Sequence, residues 1–114
     1  MSCLLFQEEI RVNHYLYNNW PDRGVPADTA PILNMLLKTK RTTTLVHCSA
    51  GIGRTGTIVG IGIMYTKLVG GESPTPNFKD LLLEIRKRRH MAVQTDSQYV
   101  FMHKVLIDFA LRKR

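Results

Sequence analysis

The chain has 114 residues, 44% of them hydrophobic, and a formal charge of +7 from 16 basic against 9 acidic side chains. That length holds one small globular domain with a single core, and the longest apolar stretch, Ile58 to Tyr65, is far too short to span a membrane. Two cysteines make no disulfide framework, and with His14, His47, His90 and His103 they match no familiar zinc spacing.

In chain order, Ile10, Val12, His14 and Leu16 alternate with Arg11, Asn13, Tyr15 and Tyr17. That alternation predicts a strand leading into Trp20-Pro21-Asp22-Arg23-Gly24-Val25-Pro26, a run with good turn chemistry. Asp28 or Thr29 then caps a helix with Pro31 in its first turn, burying Leu33, Leu36 and Leu37. The β-branched run from Thr42 to Val46 predicts a second strand, Thr42 to His47. A helix follows from about Arg54 to Val69, with Gly60 and Gly62 permitting close packing on the sheet. Asn77 caps a further helix whose Phe78, Leu81, Leu82 and Ile85 fall at i, i+3, i+4 and i+7. Thr95 and Gln98 form a capping box that opens a last helix, about Asp96 to Arg112, with Tyr99, Met102, Leu106 and Phe109 facing inward. Strand, helix and strand imply a parallel, right-handed connection. The fold class expected is therefore α/β, a parallel strand–helix–strand core carrying about four helices.

The chemistry concentrates in Val46-His47-Cys48-Ser49-Ala50-Gly51-Ile52-Gly53-Arg54-Thr55-Gly56. Strand, glycine-rich turn and helix start would aim backbone N–H groups and a positive helix end at one point, which suits an anion with several oxygens. Cys48 lies at the floor of that cradle and Arg54 at its rim. A thiol near pKa ~8.5 is mostly protonated at neutral pH, but helix N-termini and nearby cations bring it to ~3.5–7.5. As a thiolate Cys48 can attack phosphorus and form a cysteinyl-phosphate. Arg54 can grip two phosphoryl oxygens with parallel hydrogen bonds. Gly51, Gly53 and Gly56 allow close backbone approach, and the Thr55 hydroxyl can help the sulfur leave. These residues spell a covalent phosphate-transfer site.

Gly51-Ile52-Gly53-Arg54-Thr55-Gly56 also fits the dinucleotide pattern G-x-G-x-x-G, but that fingerprint needs a second parallel strand after the helix. Here the helix runs into the turn-rich Gly70-Gly71-Glu72-Ser73-Pro74-Thr75-Pro76. The basic run Arg86-Lys87-Arg88-Arg89-His90 suits the end of a helix and a solvated face, and no aromatic interleaving marks a nucleic-acid site. A basic surface favours acidic substrates. Nothing near Met1 has the layout of a secretory signal, and a reactive thiol needs reducing surroundings. The location expected is therefore cytoplasmic or nuclear.

The Cys48 stretch closely resembles the catalytic loop of the tyrosine-specific protein phosphatases: His-Cys, five residues, then Arg-Ser/Thr-Gly. The family's Trp-Pro-Asp loop and glutamine-bearing loop are matched by Trp20-Pro21-Asp22 and by Gln94-Thr95-Asp96-Ser97-Gln98-Tyr99. The likeness runs from about Ile10 onward and covers the C-terminal half of the family's catalytic domain. It implies a single partial phosphatase-like catalytic domain, residues 1–114. By resemblance Cys48 is the nucleophile, Arg54 the clamp and Asp22 the general acid and then base. Gln94 positions water, with Gln98 as a second candidate. Ser49, Ala50, Gly51, Ile52, Gly53 and Arg54, with Gln98, bind the phosphoryl group, while His47, Thr55 and Trp20 support the site. No metal or other cofactor is implied.

The substrates so implied are phosphotyrosine proteins or peptides. The family's N-terminal half, including its Lys-Asn-Arg-Tyr substrate loop, has no counterpart here. Its absence leaves sheet edges open to association with another chain. A second class stays open beside the enzyme: a truncated, weakly active or inactive module that binds phosphate or a partner. Asp22 separates the two, because a binder has no use for a leaving-group acid.

Overall fold

The computed structural model describes residues 2–5, 8–18, 20–21, 24–39, 42–49, 51–70 and 77–112. In chain order its elements are β1 Ser2–Leu5, β2 Glu8–Arg11, α1 Ala30–Thr39, α2 Gly53–Val69, α3 Phe78–Arg88 and α4 Asp96–Arg112. All four helices fall where caps and apolar spacing placed them.

Local chemistry explains their starts. Asp28 Oδ1 accepts the Ala30 N–H at 3.1 Å and opens α1. Thr29, the other candidate cap, donates its hydroxyl to Asp108 on α4 and ties the two helices together. Asn77, in an extended conformation, accepts the Lys79 N–H at 2.8 Å. At the far end of α3, Arg86, Lys87 and Arg88 complement the helix dipole. Thr95 Oγ1 accepts the Gln98 N–H at 3.2 Å, as a capping box requires. The reciprocal arm is displaced, however: Gln98 Oε1 accepts the N–H of Gln94, at 2.8 Å.

The core is built on α2. Gly53, Gly56, Thr57, Gly60, Ile61, Met64 and Tyr65 are buried along one stripe at spacings of three and four. Met102, Val105 and Leu106 of α4 and Leu81 and Ile85 of α3 close over that stripe, and α1 contributes Ile32 and Leu33. Leu36, Leu37, Phe78, Leu82, Tyr99 and Phe109 pack partly buried at its margin. A Cβ on Gly60 would lie 2.4 Å from Met102 Cε and 3.4 Å from Ile85 Cδ1. Gly60 thus lets α2 approach two helices, not the sheet expected. Gly62 has no such role, since its Cβ would only touch Leu36 Cδ1 at 3.8 Å.

The parallel strand–helix–strand core is not present among the described residues. Their sheet is the antiparallel pair β1–β2, with Ser2 opposite Arg11 and Leu5 opposite Glu8. Of the two segments expected as strands, Ile10 and Arg11 lie in β2, while residues 12–17 and 43–47 have no regular secondary structure. Strand preference is a preference for a pleated surface with neighbours, and it is overridden where no ladder forms. Thr42 and Thr44 instead hydrogen-bond local backbone, Thr42 Oγ1 to the Thr39 carbonyl at 2.6 Å and Thr44 Oγ1 to the Thr42 carbonyl at 3.3 Å. Leu45 is 89% exposed and Leu16 71%, so no sheet layer covers them. Among the described residues, no helix is long and apolar enough to cross a membrane.

Met102 is wholly buried, and Met102→Ala should lower unfolding stability by about 2–5 kcal/mol. The readout is a lower urea midpoint at unchanged slope. Adding Gly60→Ala should recover part of the loss, because its methyl group occupies the space vacated by Met102 Cε.

Candidate active site

Cys48 sits just ahead of α2, on a loop that turns back toward the helix start. Gly51 makes that turn with φ 77°, where a side chain would be strained although the space is open. Its N–H then points at the sulfur, 3.2 Å away, and the Thr55 hydroxyl donates to the same sulfur at 3.0 Å. The residue before α2, Ile52, supplies no side-chain cap. The first turn of α2 therefore begins without a side-chain cap. Burial is the largest influence on Cys48 and pushes its thiol up. The Thr55 hydroxyl, the Thr55 and Gly51 N–H groups and the Arg54 charge outweigh it, so the thiol lies below its ordinary value. A thiol that ionises more readily than usual, at a positive helix end, has the chemistry that suits a nucleophile next to an anion.

Arg54 reaches in two directions. Its Nη2 donates to Ser49 Oγ at 3.2 Å and its Nη1 to the Trp20 carbonyl at 3.3 Å, so one guanidinium touches both the cysteine loop and the tryptophan loop. Trp20 is buried against Phe101 and Tyr17, with ring centroids at 5.9 and 6.2 Å. Its indole N–H donates to the Gly24 carbonyl at 2.8 Å, and the Gly24 N–H closes a turn on the Pro21 carbonyl at 3.0 Å. That loop carries Asp22. Asp22 and Ala50 themselves lie outside the described residues.

Gln94 lies on the other side of α2's first turn. Its side chain fills the space left by Gly53, where a Cβ would come within 2.2 Å of Gln94 Oε1. The preceding residues are conformationally unusual: Met91 and Val93 both have φ 63°. Left-handed backbone at a β-branched residue is a true outlier, worth about 1–3 kcal/mol of strain. The Val93 N–H donates to the Ile52 carbonyl at 2.9 Å, and Arg86 donates to the Ala92 and Val93 carbonyls, each at 2.9 Å.

Of the residues singled out in the sequence, Cys48, Ser49, Gly51, Ile52, Gly53, Arg54, Thr55, Trp20 and Gln94 are thus brought around one helix turn. Gln98 is placed otherwise. It is fully buried, its Oε1 taken by Gln94 N–H and its Nε2 donating to the Gly24 carbonyl at 3.3 Å. It joins the glutamine turn to the tryptophan loop instead of lining the cradle. His47 is exposed, and the described hydrogen bonds to Sγ come from Gly51 and Thr55. Two contributors carried no sequence signal. The Gly24 carbonyl receives both Trp20 and Gln98, and Arg86 was hidden in a basic run. Among the described residues no group of three His, Cys, Asp or Glu is placed to hold a metal ion.

A cysteine ahead of a helix N-terminus, an arginine beside it and a tryptophan loop tied to that arginine thus form one cluster. The family model for protein-tyrosine phosphatase matches residues 5–108, and the chain belongs to that family. It is 40% identical over 108 residues to the human receptor-type tyrosine-protein phosphatase zeta, covering 90% of this chain and 5% of that protein. Identity to the mouse tyrosine-protein phosphatase non-receptor type 18 is 41% over 107 residues, or 86% of this chain and 23% of that one. The crystal structure of the human non-receptor type 18 catalytic domain superposes with a TM-score of 0.83 at 31% identity. That match takes in 95% of this chain but 41% of the solved one. The chain therefore spans less than half the length of these relatives.

Alkylation of Cys48 by iodoacetamide should reach half its maximal rate at a pH below the ordinary thiol value of ~8.5. Thr55→Val, which removes one donor from the sulfur, should move that midpoint upward. The sign carries over to stability. A thiol that ionises more readily in the native state stabilises the fold fully above the unfolded-state pKa, and this contribution is lost as pH falls through the native one.

Proposed function

We propose that the chain hydrolyses phosphotyrosine in proteins or peptides through a cysteinyl-phosphate intermediate. The Cys48 thiolate attacks phosphorus while the bond from phosphorus to the phenolic oxygen breaks, and Asp22 gives that oxygen its proton. Arg54 and the N–H groups of the 49–54 loop hold the phosphoryl oxygens where charge develops. In the second step Gln94 orients a water, and Asp22, now a carboxylate, takes its proton as the water oxygen attacks phosphorus. The sulfur–phosphorus bond breaks, inorganic phosphate leaves, and the Thr55 hydroxyl stabilises the returning thiolate. Cytoplasmic surroundings suit a thiol that must stay reduced.

One observation carries this reading: the hydrogen bonds from Gly51 and Thr55 converge on the Cys48 sulfur with Arg54 beside it. Family membership supports the chemistry. A second reading, a phosphate- or partner-binding module with little turnover, draws support from exposed Leu16 and Leu45 on segments without a strand ladder. On our reading residues 42–47 form a strand of a parallel core once neighbouring strands are supplied. Without them, the edges invite another chain.

Hydrolysis of para-nitrophenyl phosphate by the purified chain tests the proposal. Turnover should vanish in Cys48→Ser. Asp22→Ala should lower kcat by ~10²–10⁴ while leaving KM nearly unchanged. A cooperatively folded wild-type chain without turnover would favour the binding module.

A further inference from the structure

We infer that Arg86 is a positioning residue for the second chemical step, the hydrolysis of the phosphorylated cysteine. The inference rests on the phosphatase reading above, in which Gln94 orients the attacking water. Arg86 lies in the last turn of α3, and two nitrogens of its guanidinium bond to one turn of backbone. Nε donates to the Ala92 carbonyl and Nη2 to the Val93 carbonyl, each at 2.9 Å. Those carbonyls immediately precede Gln94.

The turn needs such a hold. Met91 and Val93 sit at φ 63°, a conformation that neither side chain favours. Ala92 and Val93 are nonetheless buried, and their N–H groups bond to the Arg89 and Ile52 carbonyls at 3.2 and 2.9 Å. Strained backbone persists only where its surroundings over-determine it. Arg86 supplies two of those restraints with one planar group. Lysine cannot reproduce this, because a single ammonium lacks the fixed fork that spans consecutive carbonyls. Released from Arg86, Val93 would relax toward negative φ and rotate the chain that presents Gln94 to Gly53.

The other reacting groups have hydrogen-bond partners of their own outside the glutamine turn. Cys48 is restrained by Gly51 and Thr55, and Arg54 by Ser49 and the Trp20 carbonyl. No hydrogen bond among these passes through Arg86. Loss of Arg86 should therefore spare formation of the phosphorylated cysteine and slow its breakdown.

Rapid mixing of the chain with excess para-nitrophenyl phosphate separates the steps, since phenol leaves in the first and water attacks in the second. Arg86→Met keeps the aliphatic stem and removes both donors. It should release one equivalent of phenol per Cys48 in a burst, then turn over ~10- to 100-fold more slowly than wild type. Its kcat/KM, which reports only through phosphoryl transfer to sulfur, should be unchanged. Arg86→Lys should fall between the two. Gln94→Ala should show the same burst, and the double variant Arg86→Met/Gln94→Ala should be no slower than Gln94→Ala alone. Equal losses in kcat and kcat/KM, an unchanged kcat, or additive losses in the double variant would overturn the role. So would failure of both Arg86→Met and Arg86→Lys to unfold cooperatively, which would make Arg86 a folding residue. A wild-type chain that releases no phenol overturns the phosphatase reading, and this role with it. An active wild type beside a variant without the burst overturns this role alone.

Discussion

The Val93 N–H bond to the Ile52 carbonyl, 2.9 Å long, is where the two sides of the site are joined. Ile52 is the last residue before α2 and belongs to the cysteine loop, while Val93 belongs to the turn that delivers Gln94. The bond can form only because residue 56 is glycine, since a Cβ there would stand 2.8 Å from Val93 N and 3.1 Å from Ala92 Cβ. Gly53 does the same for the Gln94 side chain one turn earlier. The glycines of the loop are thus of two kinds. Gly51 is needed for its positive φ, whereas Gly53 and Gly56 are needed because another part of the chain occupies the place of their side chains.

From that junction the restraints spread outward in a short circuit. Gln98 binds the Gln94 N–H with its carbonyl oxygen and the Gly24 carbonyl with its amide nitrogen. Gly24 also accepts from Trp20, whose own carbonyl accepts from Arg54. Arg54 returns to Ser49 in the cysteine loop. Each link is a neutral or singly charged hydrogen bond of modest net worth, about 0.5–1.5 kcal/mol for a neutral one. Their joint effect is geometric: the tryptophan loop, the glutamine turn and the cysteine loop share one frame. Burying Gln98 completely is acceptable because both ends of its amide are satisfied.

The helices were legible because their signals are local. Asp28, Asn77 and Thr95 cap by bonding their own neighbours, and the buried face of α3 follows from spacing along a single chain, whereas that of α4 runs through Gln98, Phe101, Met102, Val105 and Leu106 and leaves Tyr99 and Phe109 at its margin. The strands were not, because Thr42 to His47 fixes only a preference, and a ladder needs a second chain segment whose position that preference does not encode. The same division runs through the site. Cys48, Gly51, Arg54 and Thr55 stand together in sequence, so their convergence could be read directly. Gln98 looked like a second ligand-facing glutamine, yet its register on α4 turns it inward, toward a carbonyl 74 positions away. Arg86 looked like one cation among several, and only the backbone of Ala92 and Val93 folding back beneath it sets it apart.

The chain has a single tryptophan, and it is the one on the loop that carries Asp22. Its indole is buried beside Phe101 and Tyr17, with the N–H held by Gly24. Indole emission depends strongly on polarity and on contact with water. The unlabelled protein therefore carries a built-in optical probe whose signal comes from one loop and from nowhere else. Any displacement of that loop that wets the ring would shift emission to longer wavelength, and the loop's position becomes a colour that can be followed in time.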